Sequence, residues 1–192
     1  DRVTTDLQSV VMKVRVVPVG QVFNRFPRMV RDLSRELNKE INLTIEGEET
    51  ELDRTVIDEI GDPLVHLIRN SLDHGIEHPD ERLAKGKEPT GEVRLIARHE
   101  GNNVIIMVED DGKGINPEII KSKAVEKDLI TQEDADKMDD NEAVRLVFLA
   151  GFSTADVITD VSGRGVGMDV VKNKIESLGG LIDVETKIDE GS

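Results

Sequence analysis

Two consecutive strand-like segments, joined by a short polar turn, constrain the fold of this chain most strongly. Residues 92–99 (EVRLIARH) and 103–110 (NVIIMVED) are rich in aliphatic and β-branched side chains, and a Glu-Gly-Asn-Asn turn joins them. This pattern predicts an antiparallel hairpin. Helical patterns flank the hairpin on both sides, and a sheet must bury one face beneath such helices. We therefore predict an α/β fold: a two-layer sandwich with helices packed on one face of a mixed, mostly antiparallel sheet.

The remaining elements are predicted from the spacing of apolar residues. They are a helix over 21–40 with Pro27 at its start or at a kink, a strand over 41–46, a helix over 53–74 with Pro63 as a site for a kink, a helix after the Asn116-Pro117 N-cap, helices over 141–151 and 168–178, and a last strand over 181–188. The stretch 121–142 is dense in charge and poor in apolar anchors. We expect that stretch to be mobile.

Length and composition predict one domain, with a lead-in segment over 1–20 and the domain itself over 21–192. No run approaches the ~20 apolar residues of a membrane span, and cysteine is absent, so we expect no membrane insertion and a cytoplasmic setting. The net charge of −15 argues against nucleic acid as a partner, because phosphate contacts need a basic face. For the same reason, a nucleotide site here would need local backbone amides, a few cations and Mg²⁺.

A polar stripe is predicted on the helix that contains PLVHLIRNSLDHGIE. At about 100° per residue, His66, Asn70 and Asp73 lie on one side, and the apolar residues cluster on the other. The stripe presents an imidazole, an amide and a carboxylate to whatever lies above it. A solvated helix face is the alternative interpretation. The absence of cysteine and the histidine spacing argue against a zinc site.

The second predicted strand of the hairpin runs into the sequence VEDDGKGINPE. A carboxylate at a strand end, such as that of Asp110, can accept a hydrogen bond from the exocyclic amine of a base. Glycines at 112 and 114 would let the backbone pass close to a flat ring. A simple strand-ending turn is the alternative. The spacing of oxygen ligands does not fit a calcium loop, either here or in DADKMDDNE.

Three glycines at alternate positions, Gly163, Gly165 and Gly167, precede an apolar helical pattern that begins at Met168. The loop does not match the dinucleotide fingerprint, which needs Gly or Ala at 168. It also matches neither the GxxxxGK[ST] phosphate loop nor the kinase-type glycine loop. A glycine loop at a helix N-terminus suits an anion, whereas a flexible hinge is the alternative.

Taken together, these motifs occur in an order that resembles the Bergerat-type ATP-binding fold. That fold is shared by histidine kinases, gyrase-type topoisomerases, the ninety-kilodalton heat-shock chaperone and mismatch-repair ATPases. The segments VFNRFPRMVRDL, HLIRNSLDHGIE, VEDDGKGI, GFST and SGRGVGMDVVK are similar to the kinase domain of the CheA family of bacterial chemotaxis histidine kinases. The resemblance covers nearly the whole chain from Val14 onward.

The resemblance implies roles for particular residues. Asp110 would accept the adenine amino group, Asn70 would be the Mg²⁺ ligand that bridges to the phosphates, and 116–161 would form a lid over ATP. His66 stands where ATP-hydrolysing relatives have a glutamate that activates water, which favours transfer over hydrolysis; we class His66 and Asn70 as catalytic and His66 as a second candidate Mg²⁺ ligand. The other implied nucleotide-binding residues are Arg69, Asp73, His74, Gly112, Gly114, Ile115, Lys123, Ser153, Gly163, Arg164, Gly165, Val166, Gly167 and Met168.

The resemblance also implies a reaction and partners: transfer of the γ-phosphoryl group of Mg-ATP to a histidine on another domain, in trans. The family's phosphoacceptor, dimerisation and receptor-coupling domains have no counterpart in this sequence, and without the dimerisation helices we expect a monomer. We also expect the sheet to lack the family's final Gly-Thr strand. The alternative hypothesis is a module that binds or slowly hydrolyses ATP and acts as a conformational switch. A purely structural interaction module is a third hypothesis.

Overall fold

The computed structural model describes residues 15–152 and 167–192. The strands in these ranges are β1 (Val16–Pro18), β2 (Ile41–Glu46), β3 (Glu51–Asp53), β4 (Gly91–Glu100) and β5 (Asn103–Asp110). The α-helices are α1 (Gly20–Phe23), α2 (Phe26–Glu36), α3 (Arg54–Asn70), α4 (Pro79–Ala84), α5 (Pro117–Glu126), α6 (Gln132–Lys137), α7 (Asp140–Val144) and α8 (Met168–Ser177). A π-helical turn (Ser71–Gly75) continues α3, and a 3-10 turn (Arg145–Phe148) continues α7. None of these described helices combines the length and apolar character needed to cross a membrane.

The main sheet has the strand order β2-β4-β5. β4 pairs antiparallel with β5, from Val93 opposite Asp110 to Glu100 opposite Asn103, so the predicted hairpin is confirmed. β2 pairs with β4 in parallel, which requires a crossover connection, and α3 lies in that connection. β1 and β3 form a separate antiparallel ribbon. The predicted α/β fold with a mixed sheet is confirmed.

One apolar face of α3 packs against the sheet. Its buried residues recur every three or four positions, while those of β4 alternate, so that each element turns one side to a shared core. The buried residues are Ile57, Ile60, Leu64 and Ile68 of α3 and Val93, Leu95 and Ala97 of β4. Burying each large aliphatic side chain contributes about 1.5–3 kcal/mol, so this face fixes which side of α3 is left for polar residues.

The predicted helix over 21–40 is two helices, α1 and α2, and Pro27 lies in the first turn of the second. Proline suits that position because its missing N–H would have no helical partner there. Val19 and Phe23 are fully buried in the main core. The junction also packs closely on α3: a Cβ built on Gly61 would lie 1.5 Å from the Arg25 guanidinium, so the arginine side chain lies directly over this glycine.

The charged region after β5 has more apolar anchors than its sequence indicates. Asn116 caps α5 by accepting the Glu118 N–H at 3.0 Å, which confirms the predicted N-cap. Ile120, Ala124, Leu146 and Phe152 form a second hydrophobic cluster beneath α5. Ile120, Leu146 and Phe152 lie outside the stretch 121–142, so the composition of that stretch alone does not indicate this small core. The mobility of 121–142 stays a prediction.

The predicted last strand over 181–188 is wrong. The backbone in this segment forms one isolated bridge, Lys187 with Gly191, and no continuous ladder. A strand needs a hydrogen-bonded neighbour along its whole length. The end of β5 is bonded to Ser192 rather than to the segment 181–188: Asp110 and Ser192 exchange backbone hydrogen bonds at 2.8 and 3.3 Å. Burial still alternates along the segment, yet Leu181 is 91% exposed, so the pattern predicted an extended segment but not its pairing.

Candidate nucleotide-binding site

The candidate site begins on the polar side of α3. His66 and Asn70 lie one helical turn apart, as the spacing predicts. His66 is only 8% exposed, whereas Asn70 is half-buried at the last position of the α-helix. The helix does not end there, because it widens into the π-helical turn from Ser71 to Gly75. Single π turns inside helices are rare and occur frequently at functional sites.

A buried lysine holds the end of this helical run. Lys39 Nζ donates to the backbone carbonyls of Leu72 and Asp73, at 2.8 and 2.9 Å. Burial lowers the pKa of Lys39 below its usual value, although the nearby Asp73 carboxylate opposes that change. A cation at a helix C-terminus satisfies carbonyls that lack helical partners and interacts favourably with the helix dipole. Lys39 therefore fixes the carboxyl end of the helix that carries Asn70.

The structure brings Asn70 together with the start of α8. The Asn70 side-chain amide donates to the Met168 thioether sulfur at 3.2 Å. Gly167 occupies the N-cap position of α8 with φ −94° and ψ 175°, and no side chain caps the helix. Glu59 of α3 and Lys174 of α8 add an ion pair at 3.5 Å. Because α8 lies against α3, the N-terminus that suits an anion is next to the predicted metal ligand.

Asp110 lies at the end of β5, beside the π-helical turn. Its carboxylate accepts the Gly112 N–H at 2.9 Å and interacts by hydrogen bonding with Ser71. Burial is the largest influence on this group and raises the pKa of Asp110, although those hydrogen bonds act in the opposite direction. A Cβ on Gly75 would come within 3.1 Å of the carboxylate, so the helix backbone approaches it closely. The result is a sheltered hydrogen-bond acceptor at the sheet edge.

The loop that follows Asp110 packs against the π-helical turn on one side and against residues 186–187 on the other. A Cβ on Gly112 would lie 2.1 Å from the Gly75 carbonyl oxygen, and a Cβ on Gly114, where φ is +72°, would lie 2.4 Å from the Lys187 carbonyl oxygen. The Ile115 N–H donates to the Thr186 hydroxyl at 2.8 Å. Both glycines are therefore required by close backbone approach, and at Gly114 also by the left-handed conformation.

The other predicted residues are less closely grouped. Arg69 is half-buried on α3, and Asp73 and His74 are exposed on the π-helical turn with their side chains 3.8 Å apart. Lys123 is exposed in the last turn of α5, which packs against α6 and α7 rather than α3. The remaining predicted residues lie outside the described ranges: Ser153, Gly163, Arg164, Gly165 and Val166.

Sequence reasoning missed the residues that support the loop from behind: Ser71, Gly75, Glu77, Arg82 and Lys87. Ser71 and Gly75 contact Asp110, and Arg82 and Lys87 each form an ion pair with Glu77. In the sequence EHPDERLAKGK, these charges look like those of an exposed helix. Arg82 is in fact 1% exposed. Arginine is almost never fully buried unless it is paired, so only the tertiary structure identifies it as part of the site.

Only one of the two candidate Mg²⁺ ligands fits that ion. Magnesium is held by oxygen, commonly by one or two protein groups together with phosphate oxygens, and the Asn70 amide supplies an oxygen. His66 offers only nitrogen, which suits zinc, copper, iron or nickel better, so its assignment to Mg²⁺ does not fit the donor chemistry. Within 15–152 and 167–192, no cluster of three or more His, Cys, Asp or Glu side chains is placed to hold a metal by itself.

A groove of about 530 Å³ lies elsewhere, between α2 and β2. Its lining includes Arg31, Lys39 and Asn42 but none of the residues predicted to bind nucleotide. The half-buried hydrogen-bond acceptor at Asp110 and the anion-attracting helix N-terminus at Gly167 lie outside this groove, so the candidate site is assigned to them.

Known proteins are similar to this chain over most of its length. Residues 59–192 match the family described as histidine kinase-, DNA gyrase B- and HSP90-like ATPases. Chemotaxis protein CheA of Bacillus subtilis is 61% identical over 191 residues, which cover 100% of this chain and 28% of that protein. Sensor histidine kinase CheAY of Helicobacter pylori is 59% identical over 190 residues, or 99% of this chain and 24% of that protein. The chain thus spans about a quarter of the length of these curated relatives.

A solved structure shows the same fold. The histidine kinase domain from the Erythrobacter litoralis EL346 blue-light activated histidine kinase superposes with a TM-score of 0.50 at 15% identity, covering 91% of this chain and 61% of that one. At that identity the likeness concerns the fold alone. On the family match over residues 59–192, the chain belongs to the histidine kinase-, DNA gyrase B- and HSP90-like ATPase family.

Proposed function

We propose that this chain binds Mg-ATP and transfers the γ-phosphoryl group to a histidine on a separate domain, as part of chemotaxis signalling in the cytoplasm. The observation that carries the proposal is the half-buried Asp110 carboxylate, held beside Gly75 and Gly112 at the end of β5. A partly sheltered acceptor beside closely packed backbone suits the exocyclic amine and flat ring of adenine. Family membership and the relatives named Chemotaxis protein CheA support ATP as the substrate and histidine as the acceptor.

At the phosphate end, Asn70 and the N-terminus of α8 act together in this proposal. The contact between Asn70 and Met168 places the amide beside Gly167, where helix N–H groups attract negative charge. Mg²⁺, when bound, supplies neutralisation of the phosphate charge, and the Asn70 amide oxygen is the atom that would hold it. The chain then contributes to transfer by orienting the nucleotide and complementing its charge, without a covalent intermediate.

His66 bears on the choice between transfer and hydrolysis. By the resemblance of this sequence to the Bergerat-type ATP-binding fold, His66 stands where ATP-hydrolysing relatives have a glutamate that activates water. Its side chain is buried on α3, one turn before Asn70, so it lies within the packed helix rather than toward bulk water. We therefore favour transfer to a protein histidine over hydrolysis. Residues 116–161 are proposed as the lid, and the phosphoacceptor domain reaches the chain in trans.

The test is calorimetric titration with a non-hydrolysable ATP analogue, with and without Mg²⁺. We expect binding that strengthens with Mg²⁺. Asp110→Asn should weaken binding about tenfold to a hundredfold, because it removes a charge-assisted hydrogen bond. Asn70→Ala, which removes the amide oxygen, should abolish the Mg²⁺ effect while leaving the fold intact. Unchanged affinity in both variants would contradict the assignment of the site.

A second assay separates transfer from a switch that only binds or hydrolyses ATP. The chain is mixed with the phosphoacceptor domain of a chemotaxis histidine kinase and with ATP labelled at the γ-phosphate. Label on the acceptor histidine supports the proposal. Free phosphate without labelled acceptor supports the switch, and the absence of nucleotide binding supports a structural module.

A further inference from the structure

A group of ionised side chains with a buried centre lies directly behind the loop over 110–114. We call Glu77, Arg82, Lys85, Lys87 and Asp111 the ion cluster. Glu77 and Arg82 are 4% and 1% exposed, and their side chains are 3.0 Å apart. Such clusters are weak contributors to stability, because desolvation of the charges offsets their attraction. Their position beside a candidate binding loop therefore calls for a different explanation.

Arg82 connects α4 to this loop through a planar fork of donors. Nη2 donates to the Asp111 carboxylate at 3.0 Å, and Nη1 donates to the Asp111 backbone carbonyl at 3.2 Å. Nε donates to the Glu88 carbonyl at 2.7 Å. The other Asp111 carboxylate oxygen accepts the backbone N–H of Glu92 at 2.8 Å. Asp111 is thus fixed between α4 and β4, and it is the residue that follows Asp110.

Lys87 holds the next two backbone carbonyls. Its Nζ donates to the carbonyls of Asp111 and Gly112, at 3.0 and 2.9 Å, and to the Glu77 carboxylate at 2.8 Å. A lysine ammonium has three donors, and these contacts use all of them. The Gly112 N–H in turn donates to the Asp110 carboxylate. Lys87 therefore fixes the orientation of the peptide between Asp111 and Gly112. The N–H of that peptide in turn orients the carboxylate of Asp110, the predicted adenine acceptor.

We propose that Arg82 and Lys87 are positioning residues that hold the loop over 110–114 in the conformation that selects adenine. The inference rests on the proposed function, because it assigns the base-binding role to Asp110. Neither residue touches the nucleotide in this proposal; both act through the backbone of Asp111 and Gly112. A loop fixed before the ligand arrives loses less conformational freedom on binding, and that increases affinity.

The chain contains a matched control for this role. Lys85 also donates to the Glu77 carboxylate, at 3.2 Å, but its second contact is the Asp189 carboxylate at 2.8 Å. Asp189 reaches the loop only through its backbone N–H, which donates to the Lys113 carbonyl at 2.7 Å. Lys85 and Lys87 therefore share the same buried anion, and only Lys87 reaches the loop carbonyls. A purely structural role through Glu77 predicts similar effects for Lys85→Met and Lys87→Met. A positioning role predicts an effect on the loop for Lys87→Met alone.

The first measurement needs no nucleotide. Amide hydrogen exchange of Gly112 and Lys113 is followed in the unsubstituted chain and in both variants. The Gly112 N–H donates to Asp110, and the Lys113 N–H donates to the Gly75 carbonyl at 2.9 Å. We expect faster exchange, by about tenfold, in Lys87→Met and no change in Lys85→Met. Equal exchange at these amides in the two variants overturns the proposal, even if both fold normally.

The second measurement is the affinity for non-hydrolysable analogues of ATP and GTP. We expect Lys87→Met to weaken the ATP analogue about tenfold, to leave the GTP analogue unchanged, and to raise KM for ATP at constant kcat in the phosphotransfer assay. Lys85→Met should match the unsubstituted chain. Loss of both analogues, or a fall in kcat alone, overturns the positioning role.

The two proposals fail in different ways. If the unsubstituted chain does not bind the ATP analogue, the proposed function is contradicted and base selection with it. If the unsubstituted chain binds it and Lys87→Met binds it equally well, only the positioning role is contradicted. Arg82→Lys provides an independent check, because it keeps the charge but loses the planar fork. Its loop amides should exchange at least as fast as those of Lys87→Met.

Discussion

The two ends of the candidate site are held in very different ways. At the base end, Asp110 and the loop after it are fixed by backbone hydrogen bonds and by the ion cluster, with Glu77 and Arg82 almost fully buried. At the phosphate end, among the described residues, Asn70 meets Met168 through one amide–thioether hydrogen bond. Sulfur is a weak acceptor. For the proposed nucleotide site, the difference predicts a preformed surface for the base and an adaptable one for the phosphates.

The largest effect is expected from removing the carboxylate at the centre of the base end. Glu77→Ala leaves Arg82 buried with a partner missing, and breaking one side of a buried ion pair costs about 3–5 kcal/mol. We expect the free energy of unfolding in urea to fall by that amount. Glu46→Ala removes a partner of the exposed Arg94 and should change stability little, because solvent screens that pair. Similar losses in both variants would contradict the claim that the buried ion pair stabilises the base end more than an exposed ion pair stabilises the sheet.

Acid should weaken the base end over a defined pH range. Burial opposes ionisation of Glu77, but hydrogen bonds from Lys87 and Lys85 outweigh it and lower the pKa of Glu77 from 4.5 to about 2. A carboxyl group with a lower pKa in the folded state stabilises the fold above its unfolded pKa, and loses that contribution as pH falls toward the folded value.

The contribution of Glu77 should therefore be complete above about pH 4.5 and lost progressively toward pH 2. It amounts to about 3 kcal/mol, from the linkage of about 1.36 kcal/mol per pKa unit. Urea unfolding at several pH values should show this acid dependence reduced in Glu77→Gln. An identical pH dependence in the variant would show that other carboxylates carry it.

A methyl group at Gly112 should disturb the base end with a smaller loss of stability. Its Cβ would lie 2.1 Å from the Gly75 carbonyl oxygen, so one of the two backbones must move. We expect Gly112→Ala to cost about 1–3 kcal/mol and to weaken the ATP analogue.

The control for this substitution is Gly101→Ala, in the hairpin turn. Gly101 has a φ of +62° and open space around its Cβ position. The control should therefore lose about 1 kcal/mol for conformation alone and keep its nucleotide affinity. Equal affinities in the two variants, measured by calorimetry, would contradict close packing of the loop.

The smallest effect is expected at the phosphate end. Met168→Leu keeps an apolar side chain of similar size but removes the sulfur acceptor of the Asn70 amide. We expect the Mg²⁺-dependent gain in affinity for the ATP analogue to fall about two- to threefold, since the lost interaction is worth less than about 1 kcal/mol. Met29→Leu, in the partly buried rim of the main core, serves as the control. A loss above tenfold for Met168→Leu would mean that this end is as rigid as the other.

The fold was predictable where a pattern repeats along the chain. The hairpin and the apolar face of α3 follow from alternation and from helical spacing, and both are present. The strand over 181–188 was not predictable from its own residues, because pairing depends on what occupies the edge of β5. The second core was missed because most of its buried residues lie outside the charged stretch over 121–142 and meet only in the tertiary structure.

The site was predictable only in part, and for a related reason. Asp110 and Asn70 stand out because their residue types match a known chemistry at a strand end and on a helix face. Glu77, Arg82 and Lys87 do not stand out, because a charged residue is normally exposed and nothing in the sequence shows that these meet beneath a loop. The nucleotide-binding roles of all these residues remain predictions.

The parallel pairing of β2 with β4 has a consequence for the order in which the chain folds. The β4–β5 hairpin joins neighbours in sequence and closes on itself, whereas β2 meets β4 only across the whole of α3 and α4. Contacts between distant residues form late, because a long loop must first be closed. On the ribosome, β2 and the apolar face of α3 therefore emerge before the strand that covers them exists. Until β4 follows, the nascent chain exposes an unpaired strand edge, and a chaperone that recognises such edges would bind it in that interval.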